Sequence, residues 1–162
     1  MFALLASIML FSCSSQYESQ FVGTWTNVSE QEVDAVGFFE MFDTLILAED
    51  NTFIQKLTYV NSYNTDTVAT VEVKGLWELN DSCLERQFAT DTILVKCDDP
   101  QLYVDFYNDM VGKINYANEQ LFNAHLQDET FGGKNAITDE KAIRSIASTP
   151  NQQDREIYFR VK

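Results

Sequence analysis

Val68-Ala69-Thr70-Val71-Glu72-Val73-Lys74-Gly75-Leu76-Trp77-Glu78-Leu79 is the stretch that decides the fold class, because its chemistry changes at every second residue. Val71, Val73, Gly75, Trp77 and Leu79 share one phase, and Glu72, Lys74, Leu76 and Glu78 share the other. A period of two sends successive side chains to opposite faces, which is the signature of a half-buried β-strand. The flanking sequence carries the same grammar. Phe42 to Leu47 and Thr52 to Val60 are rich in β-branched and aromatic residues around Glu49-Asp50-Asn51, which predicts a hairpin. Phe21 to Val28 reads as the first strand, Asn61 to Asp66 and Asn80-Asp81-Ser82 as turns, and Cys83 to Lys96 as one or two further strands.

The pattern then changes. Asp98-Asp99-Pro100 predicts a helix start, with an Asp cap and Pro at the first helical position. Tyr103, Tyr107, Met110, Ile114, Ala117, Leu121 and Ala124 recur at steps of four and three, predicting an amphipathic helix over about 100–126 that ends before Gly132-Gly133. The stripe fits either packing across the sheet or the binding of a partner or ligand. Strand patterning resumes at Asn135-Ala136-Ile137 and at Ala142 to Ser148. A last strand, Arg155 to Lys162, places Ile157, Phe159 and Val161 on one face. The expected architecture is mainly β: an antiparallel barrel or strongly curved sheet with one inserted helix.

The chain has 162 residues with 25 Asp and Glu against 11 Lys and Arg, a formal charge of −14. Its cations are scattered singly, so nucleic acid, which needs a concentrated basic patch, is excluded as an expected partner. No catalytic residues are assigned. The only histidine, His125, lacks the Gly-x-Ser-x-Gly turn of a serine hydrolase, and Gly132-Gly133 lacks the Lys and Ser/Thr of a phosphate loop. Asp98-Asp99 and Glu49-Asp50-Asn51 lack the alternating ligands of a calcium loop, and no metal or cofactor is expected. The expectation is a protein that is not an enzyme.

Met1 to Phe11 is an uninterrupted apolar run, too short to span a bilayer and followed at once by Ser12-Cys13-Ser14-Ser15-Gln16. Leu10-Phe11-Ser12-Cys13 resembles the lipobox of bacterial lipoproteins. That resemblance implies a signal peptide over 1–12, lipidation of Cys13, a tether over 13–20 and a domain over 21–162 held to the membrane by its acyl chains. A signal of this kind opens with Lys or Arg, so the start is expected upstream of Met1. The tether has a single acid, Glu18, which favours the periplasmic face of the outer membrane. Cys83 and Cys97 remain; in an oxidising compartment they either form a disulfide or stay as two buried thiols.

Gly23-Thr24-Trp25, Leu47-Ala48-Glu49-Asp50-Asn51-Thr52-Phe53 and Gly75-Leu76-Trp77-Glu78-Leu79, with the closing Tyr158-Phe159-Arg160-Val161-Lys162, together resemble the bacterial lipocalin-like lipoproteins. The resemblance implies that Trp25 plugs one barrel end with Arg160 over its ring. It also implies an interior lined by Trp25, Phe39, Phe53, Tyr59 and Trp77 that holds a small apolar or amphipathic ligand, unless those side chains simply fill a closed core. The alternative is an accessory subunit of an envelope complex, docking through the helix or through Phe38-Phe39-Glu40-Met41-Phe42.

Overall fold

A computed structural model describes residues 21–33, 37–80, 83–127, 134–139, 142–145 and 157–161. The strands are β1 (Gly23–Val33), β2 (Gly37–Leu47), β3 (Thr52–Asn61), β4 (Thr67–Asn80), β5 (Cys83–Lys96), β6 (Lys134–Asp139), β7 (Ala142–Ser145) and β8 (Ile157–Arg160). One helix, α1 (Pro100–Gln127), lies between β5 and β6. The fold is mainly β, one curled antiparallel meander with an inserted helix. Each strand pairs with the next in sequence, and Trp25 and Thr26 of β1 also pair with Arg160 and Phe159 of β8.

Local chemistry sets the corners. At the β2–β3 turn, Asn51 takes the left-handed conformation (φ 63°). The Asp50 carboxylate accepts from the Thr52 hydroxyl at 2.6 Å and from its amide at 3.1 Å. These bonds, the hydroxyl's first, hold the Asp50 carboxyl below its ordinary value. The turn is tied to the second Gly-x-Trp motif: the Trp77 amide donates to the Asn51 carbonyl, and the Trp77 indole donates to the Ala48 carbonyl at 3.1 Å. Two motifs distant in sequence are therefore one structural unit.

The helix starts at the predicted cap, with Asp99 Oδ1 accepting from the amides of Gln101 (2.8 Å) and Leu102 (3.2 Å). It has a structural task. β6 pairs with β5 only at Cys83, Leu84 and Glu85, leaving the rest of that edge of β5 without a strand partner among the described residues. Asn118 substitutes for one: its Oδ1 accepts from the Phe88 amide at 3.0 Å and its Nδ2 donates to the Phe88 carbonyl at 2.9 Å. An open edge is an aggregation hazard, and a covering helix removes it. Phe106, Met110 and Ile114 enter the core beside Phe39, Tyr59, Val71 and Val95.

One sequence reading is corrected in the helix. The apolar stripe was expected to begin with Tyr103 and Tyr107, but Phe106 takes the inward place. The two tyrosines remain exposed and stack on one another with centroids 6.3 Å apart and planes 8° from parallel. In β8, Tyr158 is buried while Phe159 and Val161 are exposed, so the apolar phase seen in the sequence faces outward. Arg160 and Tyr158 find interior partners, described below, that outweigh burial of Phe159 and Val161.

A Cys83–Cys97 disulfide is excluded by register. β5 is a single strand with Cys83 opposite Asn80 and Lys96 opposite Thr70. The two cysteines stand at its opposite ends, about 30 Å apart at strand rise, against a Cα limit of roughly 7 Å for a disulfide. Cys97 is a free, half-buried thiol packed against the core.

Candidate functional site

Alternation brings the inward side chains of five strands into three layers. The first layer, at the β1 entry, contains Phe21, Trp25, Leu45, Leu47, Phe53, Trp77 and Leu84. The far layer contains Phe39, Met41, Leu57, Tyr59, Ala69 and Val71 with the inserted helix residues. Between them lies a polar layer. On β2 the inward phase runs Phe39, Met41, Asp43, Leu45, Leu47; on β3 it runs Phe53, Gln55, Leu57, Tyr59. Asp43 and Gln55 therefore occupy core positions, joined by Arg86 from β5 and Tyr158 from β8.

The four side chains form one hydrogen-bonded run. Arg86 Nη1 donates to Gln55 Oε1 at 3.1 Å, Gln55 Nε2 donates to Asp43 Oδ2 at 2.6 Å, and the Tyr158 hydroxyl donates to the same oxygen. Asp43 and Arg86 are buried, and the Arg86 guanidinium also lies 5.4 Å from the Phe88 ring centroid. A buried anion and a buried cation are thus linked through the Gln55 amide, an arrangement that offsets the desolvation of each charge.

The residues expected to line a ligand cavity are all buried. Trp25, Phe39, Phe53, Tyr59 and Trp77 pack against one another and their neighbours. Phe106 sits 4.6 Å from the Tyr59 ring and 5.8 Å from Phe39, and Phe53 meets Phe88 edge-on at 5.1 Å. One cleft, of about 240 Å³, reaches the first layer at Trp77 and is bordered also by Asn51, Leu76, Glu78, Glu85, Gln87 and Leu121; another, of about 580 Å³, follows the helix from Asp105 to Tyr116.

Trp25 and Arg160 meet at the β1 entry. The guanidinium lies 5.3 Å from the indole centroid, donates to the Val22 carbonyl at 2.6 Å, and the indole donates to the Phe21 carbonyl at 2.9 Å. Gly23, at φ +143°, leaves room for that arginine: a Cβ there would sit 3.2 Å from Arg160 Nη2. Cys13 lies outside the described residues, as do the side chains of Phe38, Cys83 and His125. Among the described residues no group of three or more His, Cys, Asp or Glu is placed to hold a metal ion, and no helix is long and apolar enough to cross a membrane.

Tyr59 is the anomaly of the far layer. It is fully buried, and among the described residues its hydroxyl has no hydrogen-bond partner. Burial first, then the negative charges of Asp109 and Asp43, push its pKa well above the ordinary 10.0. The unfolded chain therefore loses this proton near pH 10 while the folded chain keeps it, so stability falls as pH rises beyond that point. The fall is about 1.4 kcal/mol per unit until the folded pKa is reached. Tyr59→Phe is expected to raise neutral-pH stability by about 1 kcal/mol, since it removes an unpaired buried hydroxyl, and to flatten this alkaline slope. Urea unfolding at pH 7 and 10.5 checks both; an unchanged slope would refute the assignment.

The polar layer was missed by the sequence reading, although its signal is present: Asp43, Gln55 and Arg86 interrupt otherwise apolar inward phases. No known protein-family model matches the chain, and no curated protein matches it.

Proposed function

We propose that this chain is a lipid-anchored protein of the bacterial envelope, held through Cys13 on the periplasmic face of the outer membrane. On this reading its lipocalin-like barrel acts by contact with an envelope partner rather than by carrying a lipophile. The supporting observation is core packing: Trp25, Phe53 and Trp77 are buried in one apolar cluster, and Phe39 and Tyr59 are buried in another that the helix fills with Phe106, Met110 and Ile114. The pairing of β8 back onto β1 supports the barrel. Exposed Tyr103, Val104, Tyr107, Tyr116 and Phe122 give the helix an outer face suited to docking, because aromatic side chains are the usual anchors of protein interfaces.

The second reading is the small apolar or amphipathic ligand. It is favoured by Arg86 Nε and the Tyr59 hydroxyl, two buried polar atoms without hydrogen-bond partners among the described residues, which would suit a ligand's polar head. Native mass spectrometry of gently purified protein separates the two. The docking reading expects the mass of the acylated polypeptide alone, together with photo-crosslinks from Tyr107 to an envelope protein in intact cells. A stoichiometric copurifying lipophile would overturn it in favour of the carrier.

A further inference from the structure

The apolar phase of β8 faces the outside of the sheet. Phe159 stands opposite Thr26 of β1, Val28 stands opposite Phe42 of β2, and Val161 donates its amide to the Thr24 carbonyl, which pairs across to Ile46. These outward positions make one continuous face over β8, β1 and β2. Val28, Phe42, Ile46, Phe159 and Val161 are 52, 39, 38, 60 and 49% exposed, and threonines fill the positions between them. On a chain of charge −14 this face holds no charged side chain. Charge enters at its margins, with Lys56 opposite Thr44 on one side and, beyond Val28 and Phe42, the cross-strand pair Glu30 and Glu40. An uncharged apolar face of this kind marks a contact surface.

We propose that this face rests on the lipid bilayer. The inference depends on acylation of Cys13, as given above. Thr24 lies on the face itself and follows Cys13 by eleven residues, so β1 is confined within about 40 Å of the anchor even if the chain between is fully extended. Tethering turns a contact too weak to form from solution into an intramolecular one, at an effective concentration set by the short linker. The same logic makes one acyl signal plus a second, weaker membrane contact a stable attachment. A bilayer surface carrying anionic lipid repels the acidic remainder of the domain but not this face. Helix α1 packs mainly along β5, with lesser contacts to β4 and β1, and its Tyr103 and Tyr107 stay exposed and are not among the outward positions of β8, β1 and β2.

The test uses the acylated chain in phosphatidylcholine vesicles containing brominated lipid. An environment-sensitive fluorescent amino acid is placed at Val28, Phe42 or Phe159, with Leu94 and Tyr107 as exposed controls on other faces. Fatty-acid incorporation, abolished by Cys13→Ser, is measured first. The expected result is acylation, with a blue shift and bromine quenching at the three face positions and neither at the controls. Acylation with equal quenching at all five positions would overturn this inference and leave the anchor standing. Absence of acylation in a chain whose signal is given a basic start ahead of Met1 would overturn both.

Discussion

Gly75→Ala is expected to destabilise the domain by about 3 kcal/mol or more, and in a marginal background to prevent folding. A Cβ at this position would lie 2.1 Å from the Gln87 carbonyl oxygen and 2.6 Å from Phe53 Cε1. The oxygen belongs to the backbone of the paired strand and cannot move without opening the β4–β5 ladder. The ring has no room either, since Phe53 is buried and meets Phe88 edge-on behind it. Gly75 is thus the floor on which Phe53 lies, and the cross-strand pair Phe53 and Gly75 is a ring packed over a missing side chain. The helix provides an internal control. At Gly112 a Cβ meets nothing within 4 Å, so Gly112→Ala should stabilise by about 1 kcal/mol through helix propensity alone. Denaturant midpoints of the two variants should move in opposite directions. Equal midpoints would show that β4 and β5 can separate at no cost, which the close packing of this face denies.

This glycine also marks how far the sequence could be read. Strict alternation in Val68 to Leu79 identifies β4 because every inward residue there is apolar or glycine, and burial follows hydrophobicity. The hairpin at Glu49 to Asn51 and the cap at Asp99 were legible for a similar reason: their chemistry is local, a side-chain oxygen meeting a backbone amide two or three residues on. Reading failed where a distant partner outweighed hydrophobicity. In β8 hydrophobicity alone does not say which phase turns inward; that is set by Asp43, which takes Tyr158, and by Trp25, which takes the Arg160 that the resemblance placed over it. Tyr103 and Tyr107 obey helical spacing but lose the inward place to Phe106, which reaches both Phe39 and Tyr59. The cysteine pair stayed open between a disulfide and free thiols because fourteen residues can make a strand and its return, and here they make one strand.

The second large effect is expected at Asp43. Asp43→Leu should cost about 3–5 kcal/mol, the range for breaking a buried charge pair by removing one partner. The leucine would leave the Gln55 amide and the Tyr158 hydroxyl without their common acceptor, and Arg86 without the anion that its run of hydrogen bonds reaches. Each stranded donor adds a desolvation penalty of about 1–3 kcal/mol when nothing replaces the lost bond. The combined variant, Asp43→Leu with Gln55→Leu, Arg86→Met and Tyr158→Phe, should recover most of that loss, because an apolar layer of similar volume leaves nothing unpaired. If the layer only stabilises the fold, the combined variant will match the parent in both stability and envelope crosslinks. If Asp43→Leu alone proves neutral, the four side chains do not act as one network, and the layer between the two apolar cores must be solvated in a way its burial does not allow. Urea midpoints for the single and combined variants, taken with the slope of each transition, decide between these outcomes. A recovery in the combined variant would also show that the buried carboxylate and guanidinium depend on one another through Gln55, which joins them.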